Sequence, residues 1–318
     1  MHLWADYIEL FCLRDKDNQA NFEEALDEKW GGREAIGGID FIEGEDLLTQ
    51  TQSGEILLEP ESHDNKELLV SDLCAHLKAR ESLFGDAYPF IFNNYGLELK
   101  KDNQSYSLYI FFLLAANLNF FQQTARNKLT SDFECLSALA LRHTLPQAFE
   151  VCIFGTASCS ELVTFPGSPR KKIEALSKKL GTRILIPEHE LARLDTPNGD
   201  AGLDIVAWLP FEDSCCHSFL FLGQAGCTKE EREMFNKQGT VNPERWVRKL
   251  ANITPLGLLF TPQCYRNANK EWVSTTDLVY PCFDRFRLTF LLLNKVDLLN
   301  IQWVKSKDIL SAMLSPST

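Results

Sequence analysis

Two strand-like runs that lie close together constrain this chain most: Leu203 to Trp208 and Phe219 to Gln224. The turn Gly199-Asp200-Ala201-Gly202 leads into the first, which opens on the carboxylate of Asp204. The second is apolar and closes on the amide of Gln224. Consecutive strands usually pair, and pairing here sets Asp204 beside Gln224. Both side chains offer hard oxygens, the donors that Mg²⁺ or Mn²⁺ takes while keeping several waters. A cation held there would polarise a phosphoryl oxygen and acidify a bound water, and a nearby lysine would steady charge developing at phosphorus.

The flanking pattern describes a mixed α/β chain. Residues 4–14 carry Trp4, Ile8, Phe11 and Cys12 at helical spacing. Helices are also expected over 67–80, 105–126 and 131–143, so the first half is mainly helical. Near residue 148 the pattern changes. Phe149 to Phe154 reads as a strand, and Arg170 to Leu180 as an amphipathic helix with Ile173, Leu176 and Leu180 on one face and Gly181 as its stop. Arg183 to Ile186 is a further strand candidate ahead of the pair already named. A charged helix over Lys229 to Lys237, a helix over Pro243 to Ala251 with proline near its start, and a buried strand over Pro255 to Thr261 follow.

The net charge of −12 is unevenly placed. Residues 1–64 hold 17 Asp/Glu against four Lys/Arg, and the rest of the chain holds 27 against 28. The acidity sits in the N-terminal fifth, which suits a partner protein or a cover that mimics phosphate charge. The near-neutral remainder can carry a local basic groove for DNA. The longest apolar run, Tyr106 to Ala116, spans roughly 16 Å as a helix, about half a bilayer core. A buried core helix is expected there, and no membrane partner. The opening residues show no basic stretch followed by an apolar one, so no secretory signal is expected. Ten scattered cysteines suit reduced thiols in the cytoplasm.

The Asp-x-Gly-x-Asp of residues 200–204 entering a strand, followed by an apolar strand ending in Gln224, resembles the PD-(D/E)XK nuclease superfamily. Among that superfamily's members, the pattern is similar to the Mrr-like restriction endonucleases of bacterial defence. The resemblance runs over residues 130–262. It implies a restriction-endonuclease-like αβββαβ core within a domain at 129–318 that ends in a helical extension. An acidic, mainly helical region at 1–128 precedes it. It also implies a Mg²⁺-dependent (or Mn²⁺-dependent) endonuclease that hydrolyses phosphodiester bonds of DNA in anti-phage defence. The cation would be held by Asp204 and Gln224, with Glu134 joining from the 131–143 helix. Such enzymes often dimerise to cut two strands, so a homodimer is implied as well.

Two features depart from that pattern. Gln224 keeps an oxygen ligand but drops the negative charge of Glu, which weakens cation binding. Gly226 stands where the catalytic lysine is expected. Some members carry that lysine on an adjacent helix, which makes Lys229 and Lys237 the candidates, with Lys237 slightly preferred. The same departures suit a different class of function, a catalytically inactive nuclease-fold subunit of a defence or DNA-repair assembly.

Other motifs point to structure. Asp200 reads as a turn residue. Lys171, Lys172, Lys178 and Lys179 read as a solvated helix face. Cys215-Cys216-His217 with Cys227 lacks zinc-ligand spacing, and residues 154–158 do not form the G-x-S-x-G elbow. The doublets Gly31-Gly32 and Gly37-Gly38 read as turns. Asp284-Arg285-Phe286-Arg287 suits an arginine–carboxylate pair at a domain contact. Trp208, Trp246 and Trp272 are expected in the core.

Overall fold

Apolar residues at helical spacing draw both ends of the chain onto one buried helix. The computed structural model describes residues 2–15, 17, 19–22, 25, 63–92, 96–100, 106–195, 202–211, 219–228, 231–242, 254–272 and 278–314. The readings at residues 31–38, Asp200, Cys215, Cys216, His217, Lys229, Trp246 and the 243–251 helix lie outside them. The chain begins with α1 (His2–Arg14), β1 (Gln19–Asn21), α2 (His63–Phe84), β2 (Phe90–Phe92), β3 (Gly96–Leu99) and α3 (Ser107–Ala115). Every residue of α3 is buried, and no described helix is long and apolar enough to cross a membrane. The three strands form a small antiparallel sheet in the order β1-β3-β2.

The remainder forms α4 (Gln123–Thr144), β4 (Glu150–Ile153), β5 (Val163–Thr164), α5 (Pro169–Lys179), α6 (Glu188–Leu191), β6 (Ile205–Trp208), β7 (Leu220–Ala225), α7 (Glu231–Asn236), β8 (Pro255–Phe260), β9 (Cys282–Phe283), α8 (Arg285–Leu292) and α9 (Lys307–Leu314). Its strands make one mixed sheet in the order β5-β4-β6-β7-β8-β9. β4, β6 and β7 pair antiparallel, whereas β7 and β8 run parallel. A parallel pair needs a crossover, and the segment containing α7 provides it.

Strand residues alternate between the two faces of this sheet. Val151, Ile153, Ile205, Ala207, Leu258 and Phe260 join a core with α1, α3, α4, α8 and α9. Cys152, Phe154, Val206, Trp208, Leu222 and Leu259 face the opposite way, against Ile173 and Leu176 of α5 and Met234 of α7. With both faces covered, β6 is apolar throughout and β7 is apolar apart from Gln224.

The first core also crosses residue 128, joining Trp4 to Met313. An ionic cluster lies inside it. Arg285 of α8 donates to both oxygens of Asp6, at 3.0 and 2.7 Å. Arg80 of α2 pairs with Asp6 at 2.7 Å and with Glu9 at 2.9 Å. The hydroxyls of Tyr88 and Tyr109 donate to Glu9, each at 2.9 Å. Asp6 and Glu9 are therefore interior charges and do not contribute to an acidic surface. The expected arginine–carboxylate pairing at 284–287 takes this form, together with Arg266 on Asp284 at 2.8 Å.

Four expectations need correction. The helix expected over 105–126 stops at Ala115, and α4 begins at Gln123 rather than at 131. Asn117 Nδ2 donates to Leu113 O at 2.8 Å, taking the carbonyl that a continuing helix would use. The first half is mainly helical as expected, with the small sheet in addition. Residues 183–186 form no strand beyond a single bridge at Ile184, because Pro187 follows and cannot extend a ladder. Lys172 is buried rather than part of a solvated face.

Candidate functional site

β6 lies between β4 and β7 in the middle of the sheet, and that position fixes the residue that precedes it. Asp204 N donates to Gly223 O at 3.0 Å, and Asp204 O accepts from Phe154 N at 2.6 Å and Gly155 N at 2.9 Å. Ile205 faces Gly223 in the ladder, so the next pair in register is Asp204 with Gln224. Their side chains meet. Gln224 Nε2 donates to Asp204 Oδ2 at 2.5 Å, and Ala225 N donates to the same oxygen at 2.8 Å. Both residues are nearly buried, at 6% and 7% exposure.

The crossover brings Lys237 back to this strand end. α7 runs into a short 3₁₀ turn over Lys237–Gly239. A Cβ added at Gly226 would stand 2.8 Å from Lys237 Cδ, 2.9 Å from Cε and 3.2 Å from Nζ. The lysine stem thus fills the space that a side chain at 226 would occupy. The neighbouring Cys227 thiol feels both charges: burial pushes its pKa up, the Lys237 ammonium draws it down and the Asp204 carboxylate raises it. Thr240 closes the group, with Oγ1 at 3.1 Å from Gln224 Oε1 and 2.6 Å from Lys237 O.

Glu134 approaches from α4. Its Oε1 accepts from Ala157 N at 3.3 Å. The carboxylate packs directly onto Gly155, where a Cβ would lie 2.0 Å from Oε1 and would push the carboxylate aside. Gly155 N in turn holds Asp204 O, and this joins Glu134 to Asp204 through one residue. Lys172 of α5 supports the same loop, donating from Nζ to Phe154 O at 2.7 Å and Gly155 O at 2.6 Å.

The structure therefore groups Asp204, Gln224 and Lys237 at one end of β6 and β7, with Glu134 one residue removed. Lys229 lies outside the described residues. Sequence reasoning missed Lys172 and Thr240. The signal for Lys172 was its position one turn before Leu176, on the apolar stripe. Thr240 carried no signal, because only the crossover brings it back.

Among the described residues, no group of three or more His, Cys, Asp and Glu is placed to hold a metal ion. The oxygens at this strand end are the Asp204 carboxylate, the Ala225 carbonyl, which lies 3.4 Å from Gln224 Nε2, and the Gln224 amide oxygen, which faces Thr240 while its nitrogen faces Asp204. That donor set suits a hard, largely hydrated cation such as Mg²⁺ or Mn²⁺ and is wrong for Zn²⁺. No protein-family model, curated protein or solved structure matches this chain.

Proposed function

We propose that this protein is a metal-dependent nuclease of restriction-endonuclease-like fold that hydrolyses phosphodiester bonds of DNA. The observation that carries the reading is the return of Lys237 to the space over Gly226, beside Asp204 and Gln224. With β5, α5 and α6 taken as an insertion between β4 and β6, the remaining order α4, β4, β6, β7, α7, β8, with β7 and β8 parallel, supports it as the αβββαβ arrangement such enzymes use. The role in anti-phage defence goes with the same reading.

Asp204, Gln224 and the Ala225 carbonyl would hold Mg²⁺ or Mn²⁺, which supplies Lewis acidity toward a phosphoryl oxygen and toward bound water. The Lys237 ammonium orients the attacking water and stabilises negative charge on the phosphoryl oxygens. Glu134 holds the loop that carries Gly155, and through it the backbone of Asp204. Lys172 neutralises the carbonyl dipoles of that loop from below.

The test is cleavage of supercoiled plasmid and single-stranded DNA with Mg²⁺ or Mn²⁺, comparing wild type with Asp204→Ala. Metal-dependent cutting that disappears in the variant supports the nuclease. A second reading, an inactive nuclease-fold interaction subunit, is favoured by one observation: the Gln224 amide already caps the Asp204 carboxylate. Absence of both cutting and Mn²⁺ binding in wild type would select it.

A further inference from the structure

Glu134 Oε1 accepts from Ala157 N at 3.3 Å, so the loop after β4 lies against α4. One residue further along the helix stands Cys135, and two residues further along the loop stands Cys159. Their side chains lie within hydrogen-bonding reach of each other, in the core that α4 shares with the sheet. Both are free thiols. Their surroundings differ. Cys135 is 1% exposed on a 22-residue helix, whereas Cys159 is 7% exposed on the loop. The backbone amides of Glu161 and Leu162 face the Cys159 sulfur, and amides aimed at a sulfur favour the thiolate, the reactive form. The fold thus sets the more accessible, amide-supported sulfur against a second sulfur that is shut away behind it.

We infer that Cys159 and Cys135 form a peroxide-sensitive dithiol, in which Cys159 is oxidised, Cys135 resolves it, and the disulfide fastens the loop after β4 to α4 beside Glu134. The inference stands apart from the cation site and needs no metal at Asp204. Hydrogen peroxide is the oxidant. The Cys159 thiolate attacks one peroxide oxygen and the O–O bond breaks. The departing hydroxide takes up the proton that Cys159 released and leaves as water. Cys159 is then a sulfenic acid. The Cys135 sulfur attacks it, an S–S bond forms, the S–O bond breaks, and the second hydroxide leaves as water with the Cys135 proton. One peroxide is reduced to two waters while two thiols are oxidised. The Cys159 side chain is also the first cause that pushes the Cys135 pKa up. Its conversion to sulfenic acid takes a thiolate from beside Cys135 at the step where Cys135 must ionise. Gly155 N and Ala157 N of the same loop hold Asp204 O and Glu134 Oε1, so the disulfide fastens the loop where it supports the end of β6.

The experiment adds equimolar hydrogen peroxide to the full chain at neutral pH and maps the peptides without reduction, with fragmentation to separate Cys159 from Cys152. A Cys135–Cys159 link is expected, about 2 Da lighter than the two thiol peptides together and opened by dithiothreitol. Cys135→Ala lacks the resolving sulfur. At about pH 9, where Cys159 ionises with or without its neighbour, dimedone is expected to trap the Cys159 sulfenic acid about tenfold more in that variant than in wild type, because no adjacent thiol competes for it. In Cys159→Ala, Cys135 stays a thiol. The wild-type link is read without any variant, so a variant that fails to fold leaves the test standing. No Cys135–Cys159 link in wild type overturns the inference, as does Cys159 carried on to sulfinic acid while Cys135 stays a thiol. Equal dimedone trapping in wild type and Cys135→Ala overturns the resolving role and the inference with it.

Discussion

The Lys237 ammonium nitrogen lies 3.2 Å from where a Cβ at Gly226 would stand, so one residue occupies the space that the other leaves open. A side chain at position 226 would push the Lys237 stem aside, and glycine leaves the stem where it lies. Lys237→Ala is expected to lower metal-dependent DNA cleavage by about 10²–10³-fold, as removal of one charge-stabilising donor does. Lys237 lies on a short surface turn, so stability should change by less than about 0.5 kcal/mol. Adding Gly226→Lys to Lys237→Ala refills the same space from the strand and recovers part of the lost rate. Plasmid cleavage checks both, and wild-type rates in Lys237→Ala would exclude the lysine from the reaction.

The Asp204–Gln224 pair was legible because two short apolar runs with a brief connection have few ways to lie other than side by side. Lys237 was legible only as one of two candidates, since its placement depends on how the crossover returns. Lys172 was misread because its charge outweighed its position: one turn before Leu176, it lies on the stripe that packs against the sheet. The end of α3 could not be read locally. Asn117 stops the helix through its side chain while also donating to Asp6 at 3.3 Å, a tertiary contact. β1 is three residues long and largely polar, too little pattern to register as a strand.

Arg285 shows how the two ends of the chain depend on one another. Its guanidinium is fully buried against Asp6 in a two-pronged contact, and 5.4 Å over the ring of Tyr109. Removing one partner of a buried ion pair strands the other charge, at about 3–5 kcal/mol. Because Arg80 stays on Asp6 at 2.7 Å, Arg285→Met is expected to lose less than that, about 1.5–3 kcal/mol, in urea unfolding. Arg285→Lys should recover only part, because an ammonium cannot reproduce the planar fork. A loss below about 1 kcal/mol in Arg285→Met would show that the cluster is wetter than its geometry indicates.

Asp6 also sets an acid limit on stability. Burial pushes its carboxyl pKa upward, but the Arg285 and Arg80 guanidiniums outweigh burial and hold it well below its ordinary 3.8. A carboxylate depressed in the folded state contributes stability that is fully present above the unfolded value. That stability is lost as pH falls through the folded value. The urea midpoint should thus decline below about pH 4. Asp6→Asn lowers the midpoint at neutral pH and flattens the decline, and an unchanged acid slope in that variant would remove Asp6 as its source.

Cys159 should be the thiol that reacts first among the described cysteines. The neighbouring Cys135 side chain, with the backbone amides of Glu161 and Leu162, holds its pKa down to about 7 against the upward push of burial. Cys135 is displaced upward, chiefly by the Cys159 side chain, and burial raises Cys12, Cys74, Cys152, Cys227, Cys264 and Cys282. Since the thiolate is the nucleophile, iodoacetamide at neutral pH is expected to label Cys159 ahead of these others, with a rate midpoint near pH 7. Its 7% exposure slows the absolute rate without moving that midpoint. Cys135→Ala removes that side chain, so the midpoint rises toward the ordinary 9.0. Peptide mass spectrometry across a pH series reads both values. A midpoint that stays near 7 in Cys135→Ala would mean that the amides of Glu161 and Leu162 hold the thiolate without help from Cys135.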